Sequence, residues 1–140
     1  MQTMNADSVP ENIDLGSLLH RGGCHCRRVR FEVTGPRRLT VISCNCSICQ
    51  MSGFLHWIVH PEHFRLLTGA DDLISYRFGS GVAEHRFCRH CGIKAFYVPR
   101  SHPDQIDINV RCLDPDLERS LVVQAFDGQN WERNARSIQN

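Results

Sequence analysis

Several absences narrow the function before any motif does. Sixteen basic residues against fifteen acidic ones leave a net charge of only +1 over 140 residues, so the broad positive field that would hold nucleic acid or an acidic membrane surface is missing. No apolar run approaches the roughly 20 residues needed to cross a bilayer. The opening stretch Met1-Gln2-Thr3-Met4-Asn5-Ala6-Asp7 has neither the basic nor the apolar region of a signal peptide. Internal repeats of useful length and low-complexity tracts are lacking as well. These absences predict a soluble, cytoplasmic protein whose partners are small molecules, with no nucleic acid and no membrane among them. With 41% apolar and 22% charged residues, the chain suffices for one domain around one core.

Cysteine is abundant. Eight in a chain read as intracellular argue against a disulfide framework, because a reducing compartment keeps thiols free for metals or catalysis. Seven of them cluster, as Cys24 and Cys26, then Cys44, Cys46 and Cys49, then Cys88 and Cys91, with Cys112 alone. In Cys44-Asn45-Cys46-Ser47-Ile48-Cys49, three sulfurs within six residues must converge. A tetrahedral zinc with bonds of about 2.3 Å holds its sulfurs roughly 3.8 Å apart, which short spacings on a turn can satisfy. Cys88-Arg89-His90-Cys91-Gly92 reads as a zinc knuckle, with Gly92 allowing unusual exit dihedrals. Cys24 and Cys26 need a bend, since positions i and i+2 of an ideal strand lie about 6.6 Å apart; Gly22 and Gly23 permit a tight approach or a positive φ there.

The strand signals run along most of the chain. From Arg28 to Val33 apolar and charged residues alternate, and Leu39 to Ser43 leads straight into the triplet. Further short strands are expected at Phe54–Val59, Phe64–Leu67, Leu73–Phe78, Ala83–Phe87, Ile93–Val98, Ile106–Val110 and Leu121–Phe126, punctuated by turn residues. Only Trp131 to Ser137 looks helical. The prediction is a mostly β fold of short antiparallel strands with one short C-terminal helix, spanning 20–136 behind a flexible N-terminal tail, 1–19.

The knuckle needs two further ligands, from Cys24 and Cys26 or from two sulfurs of the triplet. The first choice closes one four-sulfur structural site and leaves the triplet with an open corner, as in catalytic zinc sites. Three thiolates more than neutralise a divalent ion, so such a centre suits a soft ligand such as an exogenous thiol, whose nucleophilic thiolate it would favour near neutral pH. Alternatively Cys112 or a histidine closes the fourth corner and both centres are structural. Cys112 also reads as a packed apolar residue, and His25 and His90 as exposed or hydrogen-bonding neighbours of the ligands. His56, beside Trp57 on the strand after the triplet, could reach the open corner or serve the core.

Gly22-Gly23-Cys24-His25-Cys26, Cys44-Asn45-Cys46-Ser47-Ile48-Cys49 and Phe87-Cys88-Arg89-His90-Cys91-Gly92, in this order and spacing, resemble the three cysteine signatures of the glutathione-dependent formaldehyde-activating enzyme and centromere protein V (GFA) family. Pro99-Arg100-Ser101, Cys112-Leu113-Asp114 and the segment from Phe126 to Glu132 resemble the centromere protein V branch. The resemblance implies an Mss4-like, β-tent type zinc-binding fold with two zinc ions. One would be structural on Cys24, Cys26, Cys88 and Cys91, and the other catalytic on Cys44, Cys46 and Cys49. The implied activity is that of a carbon–sulfur lyase interconverting glutathione and formaldehyde with S-hydroxymethylglutathione, or acting on a related thiol and aldehyde. The implied alternative is a non-catalytic, zinc-stabilised binding module. Arg27, Arg28 and Arg30 form only a small basic cluster without aromatic interleaving, which fits a solvated strand face. Glutathione carries two carboxylates, so Arg100 and Arg111 are candidate partners, and Asn45 and Ser47, lying between ligands, could bond to sulfur or substrate.

Overall fold

The computed structural model describes residues 17–138, and the expected tail lies outside the described residues except at its end. Ser17 to Leu19, assigned by sequence to that tail, instead open strand β1 (Ser17–Gly23). Its sequence has no clean alternation, yet its backbone groups pair antiparallel with β2 (Arg30–Pro36), from Ser17↔Pro36 to Gly23↔Arg30. On β2 the alternation works as expected: Phe31 and Val33 are fully buried while Arg30 and Glu32 are half-buried. Strand β5 (Phe64–Thr68) completes a three-stranded sheet in the order β1-β2-β5.

The other strands are β3 (Arg38–Cys44), β4 (Leu55–Val59), β6 (Leu73–Tyr76), β7 (Glu84–Cys88), β8 (Phe96–Val98), β9 (Ile106–Asn109) and β10 (Ser120–Phe126). They form one sheet in the order β10-β3-β4-β9-β8-β7-β6. The protein is therefore mostly β, built from short strands. Among the described residues all strand pairings are antiparallel except that of β10 with β3, which is parallel. Nearly the whole domain separates these two in sequence, so no hairpin fixes their relative direction. The register, Phe126↔Cys44 at its last rung, brings the segment after β10 beside the cysteine triplet.

Among the described residues two α-helices are present where one was expected. Besides α2 (Trp131–Asn134), prolonged by a 3-10 turn at Ala135–Ser137, a six-residue α1 (Ser47–Ser52) follows the triplet. It is too short for hydrophobic periodicity to announce it.

The core lies between the two sheets. Val29, Phe31 and Val33 meet Leu39, Val41, Phe96 and Ile108, all essentially without solvent contact. Phe31, Phe64 and Phe96 form a ring cluster with centroids 4.9 to 5.9 Å apart, the spacing at which edge-to-face and tilted contacts are favourable. Truncating Phe31 to alanine removes a stabilisation of about 3–5 kcal/mol. This core fixes the strand ends from which the cysteines project.

Candidate functional site: two cysteine centres and the cavity over one

The first centre joins distant parts of the chain. The sulfurs of Cys24, Cys26, Cys88 and Cys91 all lie within 4.8 Å of one another, with Cys24 to Cys26 at 3.6 Å and Cys26 to Cys88 at 3.7 Å, close to the roughly 3.8 Å of sulfurs sharing a tetrahedral zinc. Gly23 allows the approach that the spacing demands, since a Cβ there would sit 1.9 Å from the Val29 carbonyl oxygen. The positive φ of this turn falls on Arg27, at 69°, and not on Gly22 or Gly23. Backbone N–H groups point at the sulfurs: Val29 donates to Cys24 at 3.3 Å and His90 to Cys88 at 3.4 Å. Gly92 leaves the knuckle with φ of 77°. The Arg28 backbone N–H, then its guanidinium, pull the Cys26 thiol down to about 6, whereas burial pushes Cys24 up to about 11. His25 is exposed, and His90 bonds to Asp72 at 2.8 Å.

The second centre comes from one short segment. Cys44 ends β3, Cys46 precedes the first turn of α1, and Cys49 lies in that turn, three residues on and hence on the same face. Their sulfurs also fall within 4.8 Å of one another, and no fourth Cys, His, Asp or Glu among the described residues joins them at that reach. Cys112 is elsewhere: burial pushes its thiol up to about 11, with Cys24 and Cys91 as its charged neighbours. The donor set fits a thiophilic cation. Cys46 is held low by hydrogen bonds from Cys44 and then Cys49, while the contact with Cys46 holds Cys44 high and the contacts with Cys44 and then Cys46 hold Cys49 high. Like charges on three adjacent sulfurs oppose one another, a conflict that a divalent ion would relieve. Gly128, just after β10, is pressed against them, and a Cβ there would lie 2.3 Å from the Cys44 sulfur.

Around the triplet lie His56, which its place after the triplet suggested, and others that composition and spacing alone do not reveal. His56 on β4 is only 5% exposed. Its Nε2 lies 3.1 Å from the Cys49 sulfur and its Nδ1 2.6 Å from Asp107 Oδ2, on β9. Since a carboxylate accepts, Asp107 takes the Nδ1–H and turns Nε2 toward sulfur. Asp107 is 1% exposed, and its other oxygen, Oδ1, has no hydrogen-bond partner among the described residues. The pattern Ile106-Asp107-Ile108-Asn109 put a carboxylate on a strand otherwise read as apolar, the one signal that pointed to it. Next to this pair His85, Tyr97 and Phe78 stack, His85 on Tyr97 at 4.8 Å and 11° and on Phe78 at 5.3 Å and 22°. Behind them Lys94, the chain's only lysine, is 9% exposed. Its Nζ donates to His85 Nδ1 at 2.6 Å and lies 4.0 Å from the Tyr97 ring centre. Burial draws Lys94 down to about 8, and burial together with the Lys94 charge draws His85 down to about 4.

A cavity of about 450 Å³ opens over the triplet, with Cys44, Cys46, Cys49, His56, His85 and Asp107 among its lining. Arg100 and Ser47 border it too. Arg100 stacks on Trp131, 3.6 Å from the ring centre, and pairs with Glu132. A second cavity of about 560 Å³ touches Cys44 and Cys49 and includes Asn45, Arg111 and Asp127. Asn45 is already engaged there, donating to Asp127 Oδ1 at 3.0 Å and accepting from the Gln129 N–H at 2.9 Å. Of the four residues singled out for substrate, the structure thus places Ser47 and Arg100 at the first cavity and Asn45 and Arg111 at the second.

Fold and site together define a small β protein with two cysteine groups that could each hold a metal ion. Residues 19–128 match the profile of the glutathione-dependent formaldehyde-activating enzyme family, and the chain belongs to that family. A Halomonas elongata protein provisionally named a glutathione-dependent formaldehyde-activating enzyme is 26% identical over 110 residues, covering 73% of this chain and 70% of the relative. The crystal structure of a Rhodobacter sphaeroides protein superposes with a TM-score of 0.61 at 31% identity, covering 73% of this chain and 99% of that one. Among the described residues, no helix is long and apolar enough to cross a membrane.

Proposed function

We propose that the chain is a zinc-dependent carbon–sulfur lyase that joins a thiol such as glutathione to formaldehyde or a related aldehyde, and separates them again. The observation that carries this reading is the three-sulfur centre, which borders a cavity and, among the described residues, has no fourth Cys, His, Asp or Glu donor within 4.8 Å of all three sulfurs. Membership of the family supports it. Cys24, Cys26, Cys88 and Cys91 would hold a structural zinc, and Cys44, Cys46 and Cys49 a second one. A zinc on the triplet would supply a soft, Lewis-acidic position favouring the thiolate form of a thiol near neutral pH.

The remaining chemistry falls to the protein. In the forward direction the thiol loses its proton and its sulfur attacks the carbonyl carbon. The carbonyl π pair moves to oxygen, which takes up a proton, so a C–S bond and a hydroxyl form with no change of oxidation state. The His85, Tyr97 and Phe78 stack limits water and fixes the aldehyde's approach. His56, oriented by Asp107, holds the Cys49 side of the centre in place, as hydrogen-bonding neighbours of metal ligands do. The unpartnered Asp107 Oδ1 offers an acceptor to the adduct's hydroxyl. All eight cysteines are free, in keeping with a reducing, cytoplasmic location.

The test is to count zinc per chain, then follow sulfur ligation of the metal by X-ray absorption as thiol is added, with adduct formation assayed in parallel. Two zincs, an additional sulfur on one of them and turnover with an aldehyde are expected. A coordination shell unchanged at saturating thiol overturns the proposal and leaves two structural centres.

A further inference from the structure

The cavity over the triplet is poorly matched to a highly charged tripeptide. Its walls are largely aliphatic and aromatic: Ile42, Ile58, Phe78, Pro99, Phe126 and Trp131 all contribute. Among the described residues Arg100 is the only arginine or lysine bordering it, and that guanidinium is already half-committed. One face stacks on Trp131 and one nitrogen pairs with Glu132. The arrangement fixes the guanidinium at the cavity and leaves N–H groups for a single further carboxylate. His85 adds no positive charge near neutral pH, because burial and the Lys94 charge keep it neutral, and Lys94 Nζ is itself directed at His85.

Glutathione would bring two carboxylates and an ammonium group. One carboxylate could meet Arg100, but the second would be set against apolar walls, where an unpaired charge is costly. The volume, about 450 Å³, is also far larger than formaldehyde, so something besides the aldehyde must fill it. The second cavity contrasts with the first, since Arg111 and Asp127 give it charges of both signs and Asn45 and Gln50 add neutral amides.

Resting on the thiol-handling reading above, we infer that the cavity over Cys44, Cys46 and Cys49 is built for an apolar, aromatic thiol carrying at most one negative charge, in preference to glutathione, with Arg100 as the specificity-determining residue for that charge. The sulfur reaches the triplet, the ring lies against the Phe78 and Trp131 side, and the carboxylate meets Arg100. A charge-assisted contact of this kind discriminates by about tenfold or more.

The experiment is calorimetric titration of the metal-loaded full-length protein with 4-(mercaptomethyl)benzoate, benzyl mercaptan and glutathione, repeated for Arg100→Gln and Arg111→Gln after melting curves confirm that both variants fold. The dissociation constant of 4-(mercaptomethyl)benzoate should be at least about tenfold lower than that of glutathione. Arg100→Gln should raise it about tenfold while leaving benzyl mercaptan within about twofold. Arg111→Gln should change neither. Glutathione binding as tightly as the aromatic acid, or selective weakening by Arg111→Gln in place of Arg100→Gln, overturns this inference while leaving thiol handling intact. Failure of all three thiols to bind overturns both.

Discussion

The two cysteine centres use one donor chemistry in opposite ways. The four-sulfur centre draws its residues from either side of a sixty-residue interval, so whatever occupies it ties the end of β1 to the end of β7. The three-sulfur centre draws on six consecutive positions and ties nothing distant together. Its surroundings carry the interest instead: a cavity, a buried His56–Asp107 pair and a glycine packed against sulfur. Loop closure explains the division. A crosslink between remote segments restricts the unfolded chain far more than one within a single turn, so the proposed reading gives stability to the first centre and chemistry to the second.

The contrast is tested most severely by removing one sulfur from each. Cys88→Ser should abolish cooperative melting, because apparent structural zinc binding is on the order of 10 kcal/mol. Cys46→Ser should retain a cooperative transition and one metal per chain. Calorimetry and metal analysis of both variants decide the matter, and equal damage would erase the distinction. A smaller effect concerns acid. His85 is held neutral in the fold down to about 4, while in the unfolded chain it takes up a proton near 6.5. Unfolding therefore binds a proton in this window, and the contribution of His85 to stability should be full above 6.5 and fall as the pH drops toward 4. The loss is roughly 3 kcal/mol. His85→Phe should flatten that limb in denaturant titrations at successive pH values, whereas a metal-release effect would persist in both proteins.

Gly128→Ala should act on one centre alone. The new Cβ, meeting the Cys44 sulfur at 2.3 Å and the Cys46 Cβ at 3.1 Å, should lower metal affinity at the triplet by up to roughly 100-fold. Competition with a chelator measures this, and a matching loss at the four-sulfur centre would contradict it. The mildest change is Asp107→Asn, which keeps the shape but weakens its hold on His56. Turnover should fall by about tenfold with both metals retained; unchanged turnover would leave the pair without a part in the reaction.

Much of this was legible in the sequence, for physical reasons. Alternation at Phe31 and Val33 and at Leu39 and Val41 marked strands whose inner faces build the core. Spacing of the cysteines announced three local groups, since sulfurs so close along the chain cannot diverge, whereas the joining of Cys24 and Cys26 to Cys88 and Cys91 was one of two choices the sequence offered. Strand β1 was obscured because its partners, not its own pattern, define it. The parallel β10 could not be foreseen because register over so long a connection leaves no local trace. Nor could Asp107, Tyr97 and His85 be assigned to the triplet, since β4, β9, β8 and β7 meet only through sheet order. His56 was suspected from its place after the triplet, but its carboxylate partner lies 51 residues away.

The burial of Lys94 reaches beyond the cavity wall. The sequence holds fifteen arginines and no other lysine, so the surface presents guanidinium groups where most proteins display primary amines. Amines condense readily with small carbonyl compounds, and guanidiniums, protonated throughout the physiological range, do so far less. A protein proposed to work among aldehydes thus exposes no lysine side chain for them to modify, and its one ε-amine is shielded by His85 and Tyr97.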